Sequence, residues 1–129
     1  MSLQNKKILL IIGGGISAYK ALDLIRLLRK EDVEVKTVLT RSGKEFVTPL
    51  SIASLTNNKV YEDIFDVSNE SEIDHISLSR WADLLLVIPT TANMMNKLSN
   101  GGADDLASTV ILASNKDVLL VPAMNVRMW

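Results

Sequence analysis

The chain has 129 residues, of which 47% are hydrophobic and 22% are charged, and this composition is typical of a single globular domain. Its net charge of −1 argues against binding nucleic acid or an anionic membrane. The chain has no cysteine, which excludes a disulfide framework, and with only one histidine it offers few ligands for a metal site. Since it has neither a signal-peptide pattern nor an apolar run of membrane-spanning length, we expect a soluble, cytoplasmic domain.

The first predicted element is an apolar strand at 6–12, which is followed by a glycine turn, Gly13 to Gly15, and then by a helix. Apolar residues recur at helical spacing from Ala18 to Lys30. Glycines let the backbone approach a ligand closely, and the N-terminus of the following helix attracts negative charge. The turn therefore predicts a site for a phosphate or for the edge of a flavin, although a plain tight turn would give the same pattern.

A second predicted strand, at 33–39, ends at the polar triplet Thr40, Arg41 and Ser42. The preceding glycine turn also satisfies the dinucleotide pattern G-x-G-x-x-G/A, which needs an acidic residue at this strand end to bind the ribose hydroxyls. Because the triplet contains no acidic residue, it is wrong for NAD, but it suits the 2′-phosphate of NADP or a phosphate monoester. From these residues alone, an NADP-dependent reductase stays an alternative.

The middle of the chain is less regular. Residues 44–55 predict one or two short helices, with Thr48 as the cap of the second one, and 60–61 predict a short strand. An acidic loop is expected at 63–74. His75 then precedes a short amphipathic segment, and a lone histidine in that position is either a surface or capping residue or a catalytic one.

Two further apolar runs, 84–88 and 118–121, predict buried strands. Between them we expect one helix that continues through Leu98 and another that is capped by Asp104 or Asp105. In total, four clear strands alternate with helices. This order predicts an α/β fold, namely a doubly wound, Rossmann-like or flavodoxin-like parallel sheet with helices on both faces.

Three strand ends carry glycine, hydroxyl or amide groups rather than ordinary turn residues: 13–17, 89–94 and 122–129. Because ligands collect at the carboxyl edge of open parallel sheets, we expect these segments to meet at one crevice. Pro122 should end the pairing of the last strand, since it has no N–H to donate.

The segment after Pro122 places the amide of Asn125 among three apolar residues, Met124, Met128 and Trp129. One amide in an apolar frame is how a small-molecule site fixes the orientation of its ligand. A turn that caps the core would explain the same spacing equally well. The chain ends before any helix that could cover the last strand, so we expect either a partner or further sequence to cover it.

Four motifs together resemble those of the flavin-dependent cysteine decarboxylase family, and most closely its phosphopantothenoylcysteine decarboxylase branch. They are the first flavin loop (14–20), the histidine motif (75–83), the second flavin loop (89–93) and the substrate motif (122–129). The resemblance covers nearly the whole chain. The lantibiotic peptide cysteine decarboxylases share the last motif but are less similar in the first loop, and flavin prenyltransferases share the fold but lack the histidine segment.

The resemblance implies bound FMN and oxidative decarboxylation of an acylated cysteine, with 4′-phospho-N-pantothenoylcysteine converted to 4′-phosphopantetheine in coenzyme A biosynthesis. A lantibiotic-type peptidyl-cysteine decarboxylase and a non-catalytic FMN-binding paralogue are the alternatives. Residues 1–129 would form a single flavoprotein domain that assembles as a homotrimer, or a multiple of trimers, with FMN at the subunit interface. The family's C-terminal flap with its cysteine, and any fused synthetase domain, would be absent, so we expect flavin binding without complete turnover.

Mapped onto this sequence, the resemblance assigns roles to individual residues. His75 would be the catalytic acid/base or orienting group. Asn125 would be catalytic and would hold the substrate carboxylate, with Met128 also contacting the substrate. No residue would bind a metal. The cofactor-binding residues would be Gly14, Gly15, Ile16, Thr40, Arg41, Ser42, Thr91, Ala92, Asn93, Met94 and Ala123.

Overall fold

The computed structural model describes residues 2–62 and 75–129, and the predicted acidic loop at 63–74 lies outside them. The strands are β1 (Lys7–Ile12), β2 (Glu34–Leu39), β3 (Val60–Tyr61), β4 (Leu84–Thr90) and β5 (Asp117–Pro122). Within the described ranges these five strands form one parallel sheet in the order β3-β2-β1-β4-β5. The short strand predicted at 60–61 is therefore an edge strand of the sheet.

Helices cover both faces of the sheet. They are α1 (Ala18–Lys30), α2 (Pro49–Thr56), α3 (His75–Trp81), α4 (Ala92–Ser99) and α5 (Leu106–Ala113), with short 3-10 turns at Gly43–Glu45 and Val126–Met128. The core on one face is built with α1 and α2, and the core on the other face with α3, α4 and α5. This arrangement confirms the predicted doubly wound α/β fold. No helix in the described part of the chain combines the length and apolarity needed to cross a bilayer.

Alternation along β1 explains why this strand is apolar from Ile8 to Ile12. Leu10 and Ile12 point into the core beneath α1 and α2, whereas Leu9 and Ile11 point into the opposite core. Successive side chains of a strand face opposite sides, so a strand covered on both faces must be apolar at every position. The predicted burial of this run is confirmed.

The two helices that follow β1 and β2 begin and end where their sequences indicate. The buried residues of α1 recur at helical spacing, and its basic last turn suits the negative end of the helix dipole. The predicted cap of α2 is confirmed, because Thr48 Oγ1 accepts a hydrogen bond from the Ser51 N–H at 3.0 Å. The helix ends at Asn57, which takes the left-handed conformation with φ 58°.

The position of the crevice follows from the strand order. The chain runs outward from β1 through β2 to β3, then crosses back to place β4 on the other side of β1. The loops after β1 and β4 therefore diverge to opposite faces, which leaves an opening between them at the carboxyl edge. Such a switch point is where open α/β sheets bind ligands.

The final strand has the apolar sequence of a buried strand, but it is uncovered within this chain, as we expected from the lack of a following helix. Val118, Leu119 and Leu120 are exposed, Leu119 to 52%, whereas Val121 packs partly buried against the core. The strand lies at the edge of the sheet, and the residues after it form a short turn instead of a helix that could pack on it. Pro122 is the last residue of β5, as predicted. It pairs with Thr90, and the Ala123 N–H donates to the Thr90 carbonyl at 3.3 Å.

Candidate functional site

A crevice of about 970 Å³ opens at the carboxyl edge of the sheet. Its volume lies within the range of roughly 300–1,000 Å³ that is usual for small-molecule sites. The loops after β1 and β2 form one wall, and α4 with the first turn of α5 forms the other. Six of the residues predicted to bind a cofactor line it: Thr40, Arg41, Ser42, Thr91, Asn93 and Met94.

The glycine turn after β1 brings three strand ends into contact. A Cβ atom on Gly13 would overlap the carbonyl oxygen of Pro89 at the end of β4. A Cβ atom on Gly14 would lie 2.9 Å from the carbonyl carbon of Ser42, in the loop after β2. Only glycine fits at these two positions without a clash. Gly13 and Gly14 therefore allow the three loops to meet at the base of the crevice.

Thr40 holds the loop after β2 in place. Its hydroxyl is buried, donates a hydrogen bond to the Ile12 carbonyl at 2.8 Å and accepts one from the Gly43 N–H at 3.0 Å. One side chain thereby ties the end of β1 to the 3-10 turn that follows Ser42. Because its hydroxyl already donates one hydrogen bond and accepts another within the fold, Thr40 shapes the crevice wall. Arg41 and Ser42 are exposed beside it.

The end of β4 leads directly into α4. The Ile88–Pro89 peptide bond is cis, and the Thr90 hydroxyl donates to the Val87 carbonyl at 2.8 Å. Thr91 caps α4 by accepting a hydrogen bond from the Met94 N–H at 3.0 Å. The small polar residues of this segment therefore fix the start of a helix that borders the crevice.

A charged cluster on the opposite wall was not identified from the sequence. Lys97 Nζ lies 2.9 Å from Asp104 Oδ1 and 3.1 Å from Asp105 Oδ2. Asp105 also caps α5 through a capping box with Ser108, whose N–H donates to it at 2.8 Å. The sequence indicated Asp105 as a cap of α5 but did not indicate Lys97 as its partner. Gly101 and Gly102, between the two helices, were the signal that the chain reverses there.

The surroundings favour the protonated form of Lys97 and the ionised form of Asp105. The hydrogen bond with Asp104 is the largest influence on the pKa of Lys97, and with the contribution of Asp105 it outweighs partial burial and raises that pKa. Burial by itself would raise the pKa of Asp105, but hydrogen bonds from Ser108 and Lys97 outweigh it, so that pKa is lowered. The raised pKa of Lys97 and the lowered pKa of Asp105 both favour the charged pair on this wall of the crevice.

Several residues with predicted roles lie outside the crevice lining. His75 is half-buried at the start of α3, and Asn125 is exposed, with its Oδ1 accepting a hydrogen bond from the Arg127 N–H at 2.9 Å. Of the three residues of the apolar frame predicted around Asn125, Met128 and Trp129 are exposed and Met124 is half-buried. The remaining residues outside the lining are Gly14, Gly15, Ile16, Ala92 and Ala123.

Comparison with known proteins identifies the family. The Flavoprotein family model matches residues 1–129. The chain belongs to the Flavoprotein family. In the described part of this flavoprotein, no group of three or more acidic or histidine side chains is arranged to hold a metal ion.

The most similar curated relatives of this flavoprotein include two bacterial proteins. The chain is 44% identical over 129 residues to the coenzyme A biosynthesis bifunctional protein CoaBC of Haemophilus influenzae, covering 100% of this chain and 32% of the relative. It is 44% identical over 127 residues to CoaBC of Bacillus subtilis, covering 98% and 31%. The chain thus spans about a third of the length of the curated relatives it matches.

Solved structures share the fold of this flavoprotein closely. The FMN-dependent cysteine decarboxylase SpaF has a TM-score of 0.87 and 28% identity, with 98% of this chain and 73% of that chain covered. A mutant PPC decarboxylase complexed with pantothenoylaminoethenethiol has a TM-score of 0.80 and 30% identity, with 98% and 71% covered.

The residues of this flavoprotein fit a cofactor such as the FMN on which SpaF depends. Gly13 lines the crevice, and with Gly14 it brings the loops after β1, β2 and β4 together at the base of the site. Arg41 and Ser42 supply a cation and a hydroxyl at the same wall. A phosphate needs donors of these kinds, and the crevice extends from there along Met94, whose side chain is apolar and suits a flavin ring.

Proposed function

We propose that this domain is an FMN-dependent decarboxylase of acylated cysteines, acting on 4′-phospho-N-pantothenoylcysteine to give 4′-phosphopantetheine in coenzyme A biosynthesis. The observation that carries the proposal is that the turn at Gly13 and Gly14 meets Pro89 across the switch point of the sheet and also meets Ser42 in the loop after β2. The glycine turn and the segment that begins at Pro89 resemble the two flavin loops of the decarboxylase family. The relatives that span the whole chain at 44% identity are named for coenzyme A biosynthesis.

The identities favour the coenzyme A branch over a peptide substrate. The CoaBC proteins are 40–44% identical to this chain, whereas the peptidyl-cysteine decarboxylase EpiD is 28% identical. The non-catalytic alternative is less favoured because His75 and Asn125 are both present.

We place the FMN phosphate beside the N-terminus of α1. Ser17 precedes this helix without capping it through its side chain, and the first turn contains no acidic residue. By contrast, Thr91 caps α4 and the carboxylate of Asp105 caps α5. A helix dipole favours an anion at an N-terminus that no carboxylate already occupies. The nearby Arg41 and Ser42 would add a charge and a hydroxyl to that site.

The remaining site residues are assigned by their chemistry. Bound FMN would supply the two-electron oxidation of the cysteine thiol to a thioaldehyde, from which CO2 is lost readily. Asn125 would hold the substrate carboxylate through its Nδ2 amide, which stays available because the cap of the last turn uses only Oδ1. His75 would exchange a proton with the substrate or orient it. Met128 would contact the acyl part of the substrate, and Ala123 would border the cofactor.

We further propose that the domain works as a homotrimer in the cytoplasm, alongside a fused synthetase domain, as the resemblance implies. Large apolar side chains at the crevice end are exposed, including Ile16 at 78%, Leu50 at 76% and Val126 at 86%. Exposed apolar surface of this kind usually marks an interaction site. Assembly would bring His75 and Asn125, which lie outside the crevice of their own chain, to the crevice of a neighbouring copy.

The test combines cofactor identification with a single turnover. Protein is denatured, the released cofactor is identified by mass, and we expect FMN; finding FAD, or no flavin after reconstitution, would overturn the proposal. Anaerobic mixing with 4′-phospho-N-pantothenoylcysteine should bleach the oxidised flavin, and a peptide with a C-terminal cysteine should do so far more slowly. The reverse preference would favour the peptidyl-cysteine alternative. Light scattering should show a trimer or a multiple of it.

A further inference from the structure

The connection between α4 and α5 is organised around one lysine. Lys97 lies in the last turn of α4, and its side chain is 21% exposed. Its ammonium reaches across to the first residues of the next helix, where it contacts both Asp104 and Asp105. Asp104 makes the shorter contact and has the larger influence on the pKa of Lys97, but it is 76% exposed, so solvent screens its pairing and its contribution to stability is small. Asp105 is 41% exposed and is held by further hydrogen bonds. The pair of Lys97 with Asp105 is therefore the structural link.

The backbone of the same connection is fitted to the lysine stem. The Gly102 N–H donates to the Lys97 carbonyl at 2.9 Å, which closes the end of α4. A Cβ atom on Gly102 would lie 2.7 Å from Lys97 Cγ, so the stem occupies the space that a side chain would need. Gly101, with φ 70°, makes the turn itself. Both ends of the lysine, its carbonyl and its ammonium, are thus fixed to the segment that leads into α5.

Asp105 transmits this constraint to the crevice. Its side chain caps α5, and the next two residues, Leu106 and Ala107, line the crevice and are buried in the core. The direction in which α5 leaves its cap decides where these two residues lie. A cap that is also held by Lys97 has less freedom to move than a cap alone, because two elements must shift together.

We propose that Lys97 is a positioning residue for the flavin site, acting through Asp105 to hold the first turn of α5 as the crevice wall opposite Thr40–Ser42. The inference rests on the proposed function, since it takes FMN as the occupant of the crevice. In this role Lys97 does not touch the reacting atoms. Its removal changes the shape and charge of the wall while the sheet stays intact.

The principal test is FMN affinity, measured by fluorescence quenching at a temperature well below the unfolding transition of every variant. Lys97→Met keeps the stem but removes the ammonium, and we expect FMN binding to weaken about five- to thirtyfold, with a shifted absorption band of the bound flavin. Lys97→Arg keeps the charge and should restore affinity to within about twofold of the wild type. A purely structural role would lower thermal stability without changing affinity or spectrum below the transition.

A matched variant separates this role from general electrostatics. Lys6 is exposed just before β1, at the opposite end of the sheet, so Lys6→Met removes the same charge far from the crevice and should leave FMN affinity unchanged. Gly102→Ala displaces the lysine stem without removing the charge. It should weaken FMN binding on its own but add little in the Lys97→Met background, because both changes break one link.

The outcomes are distinct. If the wild type binds FMN and Lys97→Met binds it equally well with an unchanged spectrum, the positioning role is wrong and the proposed function is untouched. Additive losses for Gly102→Ala and Lys97→Met would also overturn the proposed link through the stem. If the wild type binds no FMN, the proposed function fails and this inference fails with it.

Discussion

A Cβ atom added to Gly14 would lie 2.5 Å from the Ser42 hydroxyl oxygen and 2.9 Å from the Ser42 carbonyl carbon. The glycine turn after β1 and the loop after β2 are therefore in direct contact, and the contact is made by the Ser42 backbone as well as by its side chain. Backbone cannot move aside as the end of a flexible side chain does. The separation of these two loops, and with it the base of the crevice, depends on the absence of a side chain at Gly14.

Replacing Gly14 with alanine should open the crevice at this point. We expect the unfolding free energy of Gly14→Ala to fall by about 1–3 kcal/mol, as is usual when atoms are inserted into a packed contact. FMN binding should weaken at least about tenfold, because the two loops that would hold the phosphate are forced apart. Urea denaturation and an FMN titration measure the two effects.

Gly15→Ala is the control for the stability measurement. A Cβ atom on Gly15 would have Pro89 Cγ at 3.7 Å as its nearest neighbour, which is an ordinary contact. Its unfolding midpoint should stay close to that of the wild type. Equal destabilisation by the two alanines would show that the cost comes from the loss of glycine flexibility and not from the contact with Ser42.

Thr37 and Thr40 offer a second matched pair, both in or just after β2 and both buried. Thr37 Oγ1 has no hydrogen-bond partner among the described residues, so Thr37→Val removes an unsatisfied polar group and should raise the unfolding free energy by about 1 kcal/mol. Thr40 makes two hydrogen bonds, so Thr40→Val should lower it by about 1–3 kcal/mol. Chemical denaturation of both variants provides the test. Destabilisation by Thr37→Val would mean that its hydroxyl is satisfied in solution.

Asp105 should make part of the stability dependent on pH. Because its pKa in the folded protein is below the ordinary 3.8, its contribution is present above that pH and is lost as pH falls through the folded pKa. The pKa of Lys97 is raised above 10.5, so its contribution is lost only as pH rises through that higher value. Both contributions are therefore complete near neutral pH.

Asp105→Asn keeps a good capping residue and removes only the charge. We expect it to be less stable than the wild type by about 0.5–1 kcal/mol at pH 7, and this difference should shrink as pH falls below 3.8 and through the lower pKa of the folded protein. Urea denaturation at several pH values measures it. Asp23→Asn, at an exposed position of α1, is the control. A difference that does not shrink at any pH below 3.8 would show that the carboxylate acts by its shape and not by its charge.

The fold could be predicted because its signals are local. The apolar run of β1, the helical spacing of α1 and the cap at Thr48 each depend on neighbouring residues, and each was predicted correctly. For β5 the apolar sequence shows what the strand can bury but not what lies against it, so only the lack of a following helix indicated its exposure in this chain.

The part of the candidate site that is built from the ends of strands could be predicted from the sequence. Thr40–Ser42 and Thr91–Met94 meet at the crevice because parallel strands end at one edge, which the strand pattern alone implies. The pairing of Lys97 with Asp105 depends on how a turn at Gly101 and Gly102 folds back, and spacing along the chain does not determine that. The roles of His75 and Asn125 stay predictions, since neither residue lines the crevice of its own chain.

The role of Asn125 can be tested without disturbing its structural contact. Its Oδ1 accepts the Arg127 N–H, and the carboxylate in Asn125→Asp can accept the same hydrogen bond. The variant therefore keeps the turn, loses the Nδ2 donor and places a negative charge where the substrate carboxylate would bind. Losing a charge-assisted hydrogen bond costs roughly 1.5–3 kcal/mol and repulsion adds to it, so binding of an acylcysteine should weaken about tenfold to a few hundredfold.

His75→Asn is the contrasting variant, because it should keep both FMN and substrate affinity but lose flavin reduction. Each variant is mixed anaerobically with 4′-phospho-N-pantothenoylcysteine, and bleaching of the oxidised flavin is followed over a range of substrate concentrations. Asn125→Asp should need far more substrate to reach the same bleaching rate, whereas no concentration should restore bleaching in His75→Asn. FMN content, measured after denaturation, should equal that of the wild type in both. If Asn125→Asp binds and reduces like the wild type, the substrate carboxylate lies elsewhere, and Asn125 serves only to cap the final turn.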